Sequence, residues 1–566
     1  MGLGAFSLPV FFIAIPWLGL YNDDWAHFAS ALTHWQWFFT CPGTWSRPLE
    51  GAVWLAARCL FGTYVPGYYL LFFLIQALSA GILFLVLVGV LPGKWDLAFA
   101  TSVLFVAFPT DQSRFWLSTF AYRLGTLFLV LSAYLAGRSH AERPKLFSSL
   151  SVLCYALAIL SNEVFLPLLV VPVLVRWYGQ ERRWKPLIGA GIPYFAVALL
   201  YGVLRLSAPK LLGVLDAKAQ FLRPHPGEML FNLLRAVKVN VVAWAYSLRR
   251  LKDLTMRGWL MVSLTTVATL AAWGLWATLG RRYSPGQNAL KPRTPFSPPS
   301  GDFVLLGLGV LVTLLGYLPI LPTAYHIVIG NIDSRVSIAS GLGASLAVTS
   351  LGRALARLLG RKARRRWVAN ILFLVWIASL VFLAAAQQYA VRQDYARAWH
   401  KQCEIWRDMF AKVPNLGNNA YVIIAGVPHW EGSARVLASP WGVSSALRLL
   451  YDNESLRGDV LPSDELPITG QESEPLQIRF SQDSFAPRHS TERIPYERLV
   501  LLQWAPSHKV EVVYSVPDWA PSAFTELRTH PEMILRAPVS PTIRSVVRSP
   551  FDLWLLGRGW RAGWGG

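Results

Sequence analysis

Two adjacent carboxylates, Asp23 and Asp24, stand in the stretch Tyr21-Asn22-Asp23-Asp24-Trp25-Ala26-His27, directly after an apolar run from Gly4 to Leu20. That places them where a first membrane helix would emerge into water. Ionised groups at such a boundary are costly unless they work, pair or face solvent. A carboxylate within reach of a hydroxyl can take its proton, and two side by side can divide the tasks of base and orienter. Few other polar residues occur near the ends of apolar segments: His27, Arg47 and Glu50 in the same loop; Asp111 and Arg114 in Pro109-Thr110-Asp111-Gln112-Ser113-Arg114, then Arg123; Glu163; and His326, Asn331, Asp333 and Arg335. Guanidinium groups beside carboxylates suit a site that holds a phosphate and takes a proton close by.

Each of these residues also has a plainer use. Asp23 and Asp24 could begin a surface helix near Trp25, since Asp favours helix N-termini, and Glu163 could do the same for a later helix. Arg47 could snorkel from the interface. His27, three residues from Asp24, could share a divalent cation with it, but without a second acidic cluster at ligand spacing a solvated imidazole is the simpler reading, and no metal site is assigned. Trp25, Trp35, Trp37, Trp45 and Trp54 read as interfacial anchors, with one or two available to stack on a sugar.

The elements that must position these groups follow from hydropathy. The chain has 566 residues, 54% hydrophobic and 15% charged, with 25 Trp. Its mean hydropathy is +0.38. This is the composition of a polytopic membrane protein. Eleven stretches approach the ~20 apolar residues of a membrane helix: Leu3–Leu20, Tyr64–Val90, Leu97–Phe108, Phe120–Gly137, Phe147–Leu160, Val164–Val175, Leu187–Leu206, Trp259–Leu279, Phe303–Leu321, Val336–Leu351 and Trp367–Ala386. The formal charge of +21 raises nucleic acid as a partner. Its excess, however, lies in four short loops, Arg138–Lys145, Arg176–Lys185, Arg281–Arg293 and Arg353–Arg366, as the positive-inside pattern predicts, so no nucleic acid is expected. With the N-terminus inside, the first loop and the C-terminal region share the opposite face.

Met229–Leu248 carries Arg235, Lys238 and Asn240, and counting it as a span would force Arg281–Arg293 outside. It is therefore predicted to lie in the outer interface as an amphipathic helix, with a polar-faced span as the alternative. The apolar N-terminal run lacks a basic n-region and reads as a retained helix. Ser284–Asp302 reads as an irregular loop. Cys41 and Cys403 could bridge if both face an oxidising compartment. The predicted organisation is a transmembrane domain over residues 1–386, a connecting charged helix over 387–410 and an extracytoplasmic α/β domain over 411–566. In the last, Ala420–Val427, Leu476–Phe480, Leu499–Trp504 and Val510–Val516 read as strands and Val436–Tyr451 as a helix.

Asn22-Asp23-Asp24-Trp25 after a first helix, followed by Ser46-Arg47-Pro48-Leu49, resembles the first luminal loop of GT-C glycosyltransferases, nearest to the protein O-mannosyltransferase and aminoarabinose-transferase branch. Ser161-Asn162-Glu163 before Leu166-Pro167-Leu168, and Asp333-Ser334-Arg335 opening a later helix, are similar to the same group. The motifs are short, and their ordered occurrence over about the first 390 residues is what carries the resemblance. It implies a GT-C-like fold and a sugar donor carried on a polyprenyl phosphate, entering from the bilayer. The acceptor would be a glycan, lipid or protein outside the cytoplasmic membrane. By position, Asp23 or Asp24 would act as general base, Arg335, Arg114 or Arg47 would hold the donor phosphate, and Glu163, Asp111, His27 and Asp333 would support them. The Trp-Trp-Asp-Tyr-Gly motif of oligosaccharyltransferases is missing from the C-terminal region. Two rival readings remain at this point: a transporter or flippase of lipid-linked sugars, which the lack of an internal repeat disfavours, and a non-catalytic subunit of an envelope-assembly complex.

Overall fold

The computed structural model describes residues 2–36, 38, 47–139, 144–179, 184–211, 225–282, 300–323, 325, 327–330, 332–362, 366–461, 468–469, 476–480, 490–516 and 528–535. It is a polytopic α-helical membrane protein with a small α/β module near its C-terminus. Among the described residues, seven helices are long and apolar enough to cross a membrane. They comprise or lie within α4 (Val65–Val90), α6 (Phe120–Arg138), α7 (Pro144–Ser161), α9 (Trp184–Leu211), α11 (Met256–Arg282), α13 (Gly341–Lys362) and α14 (Arg366–Lys412). Phe6–Trp17, Trp95–Ala107 and Gly301–Tyr317 are shorter apolar helices.

Three of the predicted spans take a different local form. The first divides into α1 (Gly2–Val10) and a 3-10 helix over Phe12–Trp17, because Pro9 and Pro16 interrupt the α-helical hydrogen bonding. Val164–Val175 divides likewise, into a 3-10 helix over Glu163–Leu169 containing Pro167 and the short α8 (Val170–Gly179). The span predicted to begin at Val336 starts at Gly341, after a 3-10 turn over Ile332–Ser337. The remaining bundle helices are α5 (Trp95–Ala107) and α12 (Ser300–Tyr317). α12 and α13 pack backbone to backbone: a Cβ on Gly343 would strike the Gly309 carbonyl and Thr313. Small residues allow such an approach in a bundle that has no hydrophobic effect between its helices.

On one face the bundle is tied by charge. Asp302, fully buried, accepts from Lys94 at 3.1 Å and Arg357 at 2.6 Å, and Arg353 reaches Asp96 at 2.7 Å. The opposite face carries α2 (Asp23–Thr33), α3 (Pro48–Phe61) and the α/β module. α10 (Pro226–Arg250) lies across that second face. It meets the ends of other elements there: Asn232 donates to the Leu321 carbonyl, Asn240 to the Tyr317 hydroxyl, and Trp244 packs edge-on against Phe108. Its buried stripe is small or polar, Asn232, Ala236, Val239, Ala243 and Ser247, whereas Phe231, Leu234, Val237 and Val241 are exposed. The amphipathic helix of the sequence reading is therefore present, with its apolar face turned outward.

The last span does not end at Ala386. α14 continues as one helix of 47 residues to Lys412, because the charged half, Gln387–Phe410, contains no Pro or Gly to break it. The module then forms a four-stranded sheet in the order β10-β9-β2-β5, from β2 (Tyr421–Ala425), β5 (Arg457–Leu461), β9 (Leu499–Trp504) and β10 (Val510–Val512). β2 runs parallel to both β5 and β9, with α15 (Pro440–Leu450) as the crossover between β2 and β5. A short hairpin, β3 (Trp430–Glu431) and β4 (Ala434–Arg435), returns toward α14. The apolar stretches read as strands and the helix read over Val436–Tyr451 correspond to these elements. Leu476–Phe480 is also a strand, β7, between β6 (Ile468–Thr469) and β8 (Ser490–Ile494) in a separate three-stranded sheet, and β1 (Asn415–Leu416) pairs with β11 (Ile534–Leu535).

Candidate functional site

The acidic pair occupies the first turn of α2, and its two members have unlike surroundings. Asn22, with φ of 48°, precedes the helix without capping it through its side chain. Asn tolerates positive φ better than most residues. Asp24 then turns inward and is fully buried. Its Oδ1 accepts from the Ser118 amide and hydroxyl, both at 2.6 Å, and its Oδ2 accepts from the Tyr21 amide at 3.1 Å. Burial pushes the Asp24 carboxyl up to about 8, while the hydrogen bonds from Ser118 and Tyr21 pull the other way. Asp23 is half-buried at the seam with the module. Its Oδ1 accepts from Asn22 Nδ2 and from the indole Nε1 of Trp441 on α15, both at 2.6 Å.

A chain of polar contacts runs away from Asp24, and three of its links join residues 90 and more positions apart. The Ser118 hydroxyl also meets His27 Nδ1 at 3.2 Å, and His27 Nε2 lies 3.6 Å from Glu50. Glu50 stands 4.0 Å from Arg47. Arg47 in turn makes a bidentate pair with Glu163, at 2.8 and 2.7 Å. Burial would lower the Arg47 pKa, but the Glu163 carboxylate holds it above its usual value. Ser118 thus sits between Asp24 and His27, the two groups considered for a cation. Among the described residues no group of three His, Cys, Asp or Glu side chains could hold a metal.

The second loop forms a separate, deeper cluster. Asp111 pairs with Arg123 at 2.6 Å and with Arg114 at 3.3 Å, and it accepts from the Ser113 amide and hydroxyl. Burial would raise the Asp111 pKa, but the two guanidiniums more than offset it and hold the carboxylate ionised. Burial lowers Arg114 to about 10, and Arg114 also donates to the Phe105 carbonyl at 3.1 Å. Arg335 is placed elsewhere, its guanidinium 5.0 Å from the Trp116 ring and 5.7 Å from the Tyr325 ring. Tyr122 lies within electrostatic reach of Arg47, Arg335, Glu163 and Tyr325, which links this aromatic-flanked cation to the chain from Asp24. The side chain of Asp333 and the residues Trp37, Cys41, Trp45, Ser46, His326 and Asn331 lie outside what is described.

Four of the arginine and carboxylate candidates are therefore already matched: Arg47 with Glu163, and Arg114 with Asp111. Two of the tryptophans differ from the interfacial reading, whereas Trp35 is exposed. Trp25 and Trp54 are fully buried, and Trp25 packs against Trp399 and Trp406 while donating to Gln402 at 3.0 Å. Trp25 is a core residue because α14 continues past Ala386 and gives α2 a wall to pack on, and Trp54 is one because it packs among His27, Tyr68 and Phe120.

Residues the sequence reading did not connect to the site hold the module over it. Trp441 reaches Asp23, and Gly442 comes so near that a Cβ there would stand 2.8 Å from the Asn22 carbonyl oxygen. Ser433 in the β3–β4 turn donates its hydroxyl to Gln112 at 2.8 Å and its amide to Asp394 at 2.8 Å. Asp394, buried on α14, also takes Arg250 at 2.7 Å and Arg397 at 2.6 Å. The Gln112 amide donates to Ser334 at 2.9 Å. Only local signals are visible in a sequence, and apart from Arg397 and Asp394 these partners are separated by tens to hundreds of positions.

No protein-family model and no curated protein matches the chain. Among solved structures it is similar to crystal structures of ArnT from Cupriavidus metallidurans, one bound to undecaprenyl phosphate and one in the apo state. Both are 14% identical to this chain with a TM-score of 0.38. The first alignment covers 79% of this chain and 84% of that one, and the second covers 89% and 92%.

Proposed function

We propose that this protein is an integral-membrane glycosyltransferase of the GT-C type. It takes a sugar from a polyprenyl-phosphate donor and passes it to a glycan, lipid or protein acceptor on the extracytoplasmic side of the cytoplasmic membrane. The observation that carries the reading is the unlike acidic pair at the seam: Asp23 half-buried beneath the α/β module, Asp24 sealed behind it. It is joined by the resemblance of the surrounding motifs to GT-C first loops.

In this reading Asp23 is the general base. One of its oxygens is fixed by Asn22 and Trp441, and the carboxylate retains access. It takes the proton of the acceptor hydroxyl as that oxygen bonds to the anomeric carbon. The bond from that carbon to the phosphate oxygen breaks in the same displacement, with inversion, and the polyprenyl phosphate leaves with the electron pair. Arg335, flanked by the Trp116 and Tyr325 rings and marked by the resemblance, is the guanidinium for the departing phosphate. Asp24, whose pKa of about 8 leaves it largely protonated at neutral pH, positions α2 and the Ser118 turn and is not the base. The displacement needs no metal, so transfer by the purified protein should persist in EDTA.

The test is transfer by purified wild-type and Asp23→Asn protein from labelled polyprenyl-phosphate sugars, with mass spectrometry of envelope glycans from cells expressing each at equal levels. Removing a general base lowers the rate by about 10²–10⁴-fold. Full activity in Asp23→Asn would overturn the assignment. An unchanged glycome together with movement of labelled lipid across vesicles would favour transport instead.

A further inference from the structure

The α/β module reaches toward both groups assigned above to the displacement. On the side of the base, Trp441 is the second residue of α15, and its indole Nε1 donates to Asp23 Oδ1 at 2.6 Å. Asn22 Nδ2 donates to the same oxygen, and among the described residues these are the hydrogen bonds to the Asp23 side chain. Oδ2 is left for an acceptor. The first turns of α2 and α15 close on each other only because residue 442 is glycine: a Cβ there would stand 2.8 Å from the Asn22 carbonyl oxygen.

On the side of the phosphate, the Ser433 hydroxyl donates to Gln112 Oε1 at 2.8 Å, and the Gln112 amide donates to Ser334 Oγ at 2.9 Å. Ser334 directly precedes Arg335. The two sides share a wall. Trp116, whose ring lies 5.0 Å from the Arg335 guanidinium, donates its own indole N–H to the carbonyl of Tyr21 at 3.0 Å, two residues before Asp23.

A general base works only when its oxygen is aimed at the hydroxyl, and an error of about 1 Å can cost about 10²-fold in rate. The first turn of α2 fixes the Asp23 backbone, but rotation about its side-chain bonds would let the carboxylate swing. Asn22 is the neighbouring residue and moves with it. Trp441 comes from a different unit of the fold, 418 positions away, and supplies an outside anchor. An indole donates and cannot accept, so it orients the carboxylate without competing for the proton.

We propose that Trp441 is the positioning residue of the base, and that the module is therefore part of the catalytic apparatus rather than a cap over it. This rests on the reading of Asp23 as the base. The indole holds Oδ1 and turns Oδ2 to the acceptor hydroxyl, while Ser433 acts through Gln112 on the turn that carries Arg335. Neither module residue touches the reacting atoms.

The experiment is steady-state transfer by purified full-length protein from labelled polyprenyl-phosphate sugars. Trp441→Phe keeps a ring in the seam and removes the N–H; it should lower kcat by about 10–100-fold and leave the donor KM unchanged. Gly442→Ala keeps indole and carboxylate but wedges α15 off α2, and should lower kcat as well. In the Asp23→Asn background, Trp441→Phe should cost less than about threefold more, because a residue acting through the base then has nothing to position. Equal fold losses in both backgrounds, or wild-type kcat in Trp441→Phe while Asp23→Asn is impaired, overturn the inference. A fully active Asp23→Asn overturns the base assignment instead, so the two failures are distinct. Independently of transfer, the amides of Asp24 and Trp25, which close the first turn of α2 onto Tyr21 and Asn22, should exchange hydrogen faster in Trp441→Phe. Unchanged exchange there shows that the indole holds nothing in place and also overturns it.

Discussion

Asp24→Asn separates a structural carboxyl from a catalytic one, and its effect should change sign with pH. The folded pKa of Asp24 is about 8 against an ordinary 3.8. Between those values the folded protein keeps the proton while the unfolded chain has lost it. The contribution of this group is therefore fully present below pH 4 and is lost as pH rises to 8. At 1.36 kcal/mol per unit, the four-unit difference amounts to roughly 6 kcal/mol above pH 8. Asn does not titrate, so the variant escapes that loss. It retains an acceptor for Ser118 but sets an NH2 group against the Tyr21 amide that Oδ2 now accepts, which costs about 1–3 kcal/mol at every pH. Wild type should be the more stable below about pH 5 and the variant above about pH 6. By the usual unfolding entropy per residue, the swing from pH 4 to 8 is about 5 °C in Tm for a chain of this length. Differential scanning fluorimetry of the two proteins side by side, from pH 4.5 to 9, cancels every other titrating group. A Tm difference that stays constant across that range would refute the burial argument and reopen Asp24 as the base.

Other consequences follow from the contacts around it. The Arg47–Glu163 fork should show a coupling of about 1–2 kcal/mol in a double-mutant cycle of Arg47→Gln and Glu163→Gln, read by thermal unfolding. Coupling near zero would mean that the pair is not structural and would return Arg47 to the phosphate contacts. Gly432 sits at φ +58°, and a Cβ there would collide with the Asp394 carboxylate. Gly432→Ala should therefore loosen the β3–β4 turn from α14, costing about 1–3 kcal/mol from backbone strain and the clash together. Faster hydrogen exchange at Trp430–Arg435 would register it, and unchanged exchange would count against the docking role of that turn.

The parts of this architecture that were legible in the sequence are those set by neighbouring residues. Runs of apolar residues predict spans, alternation predicts the strands of the module, and a charged Pro-free segment after the last span predicts the helix that proves continuous with it. Prolines 9, 16 and 167 carry a local signal too, and they are why two apolar runs divide into 3-10 and α segments. What distinguishes Asp23 from Asp24 is not local. It depends on Ser118, 94 positions away, and on Trp441, 418 positions away. Likewise Arg47 looks available in sequence and is matched by Glu163 at a separation of 116. Trp25 has the composition of an interfacial anchor and becomes core only because α14 rises beside it.

The unbroken α14 also restricts how this protein can vary. A helix turns about 100° and advances about 1.5 Å with each residue, so one residue inserted between Gln387 and Lys412 would swing the entire module just over a quarter of a turn around the helix axis. Trp441 would leave Asp23 and Ser433 would leave Gln112 together, with only the short stretch Val413–Ala420 between the helix and β2. Length in this segment is thus effectively quantised: single insertions or deletions should be eliminated, whereas substitutions, and insertions in the surface loops of the module, remain open to drift. Phase along one helix acts as a reading frame for the whole site.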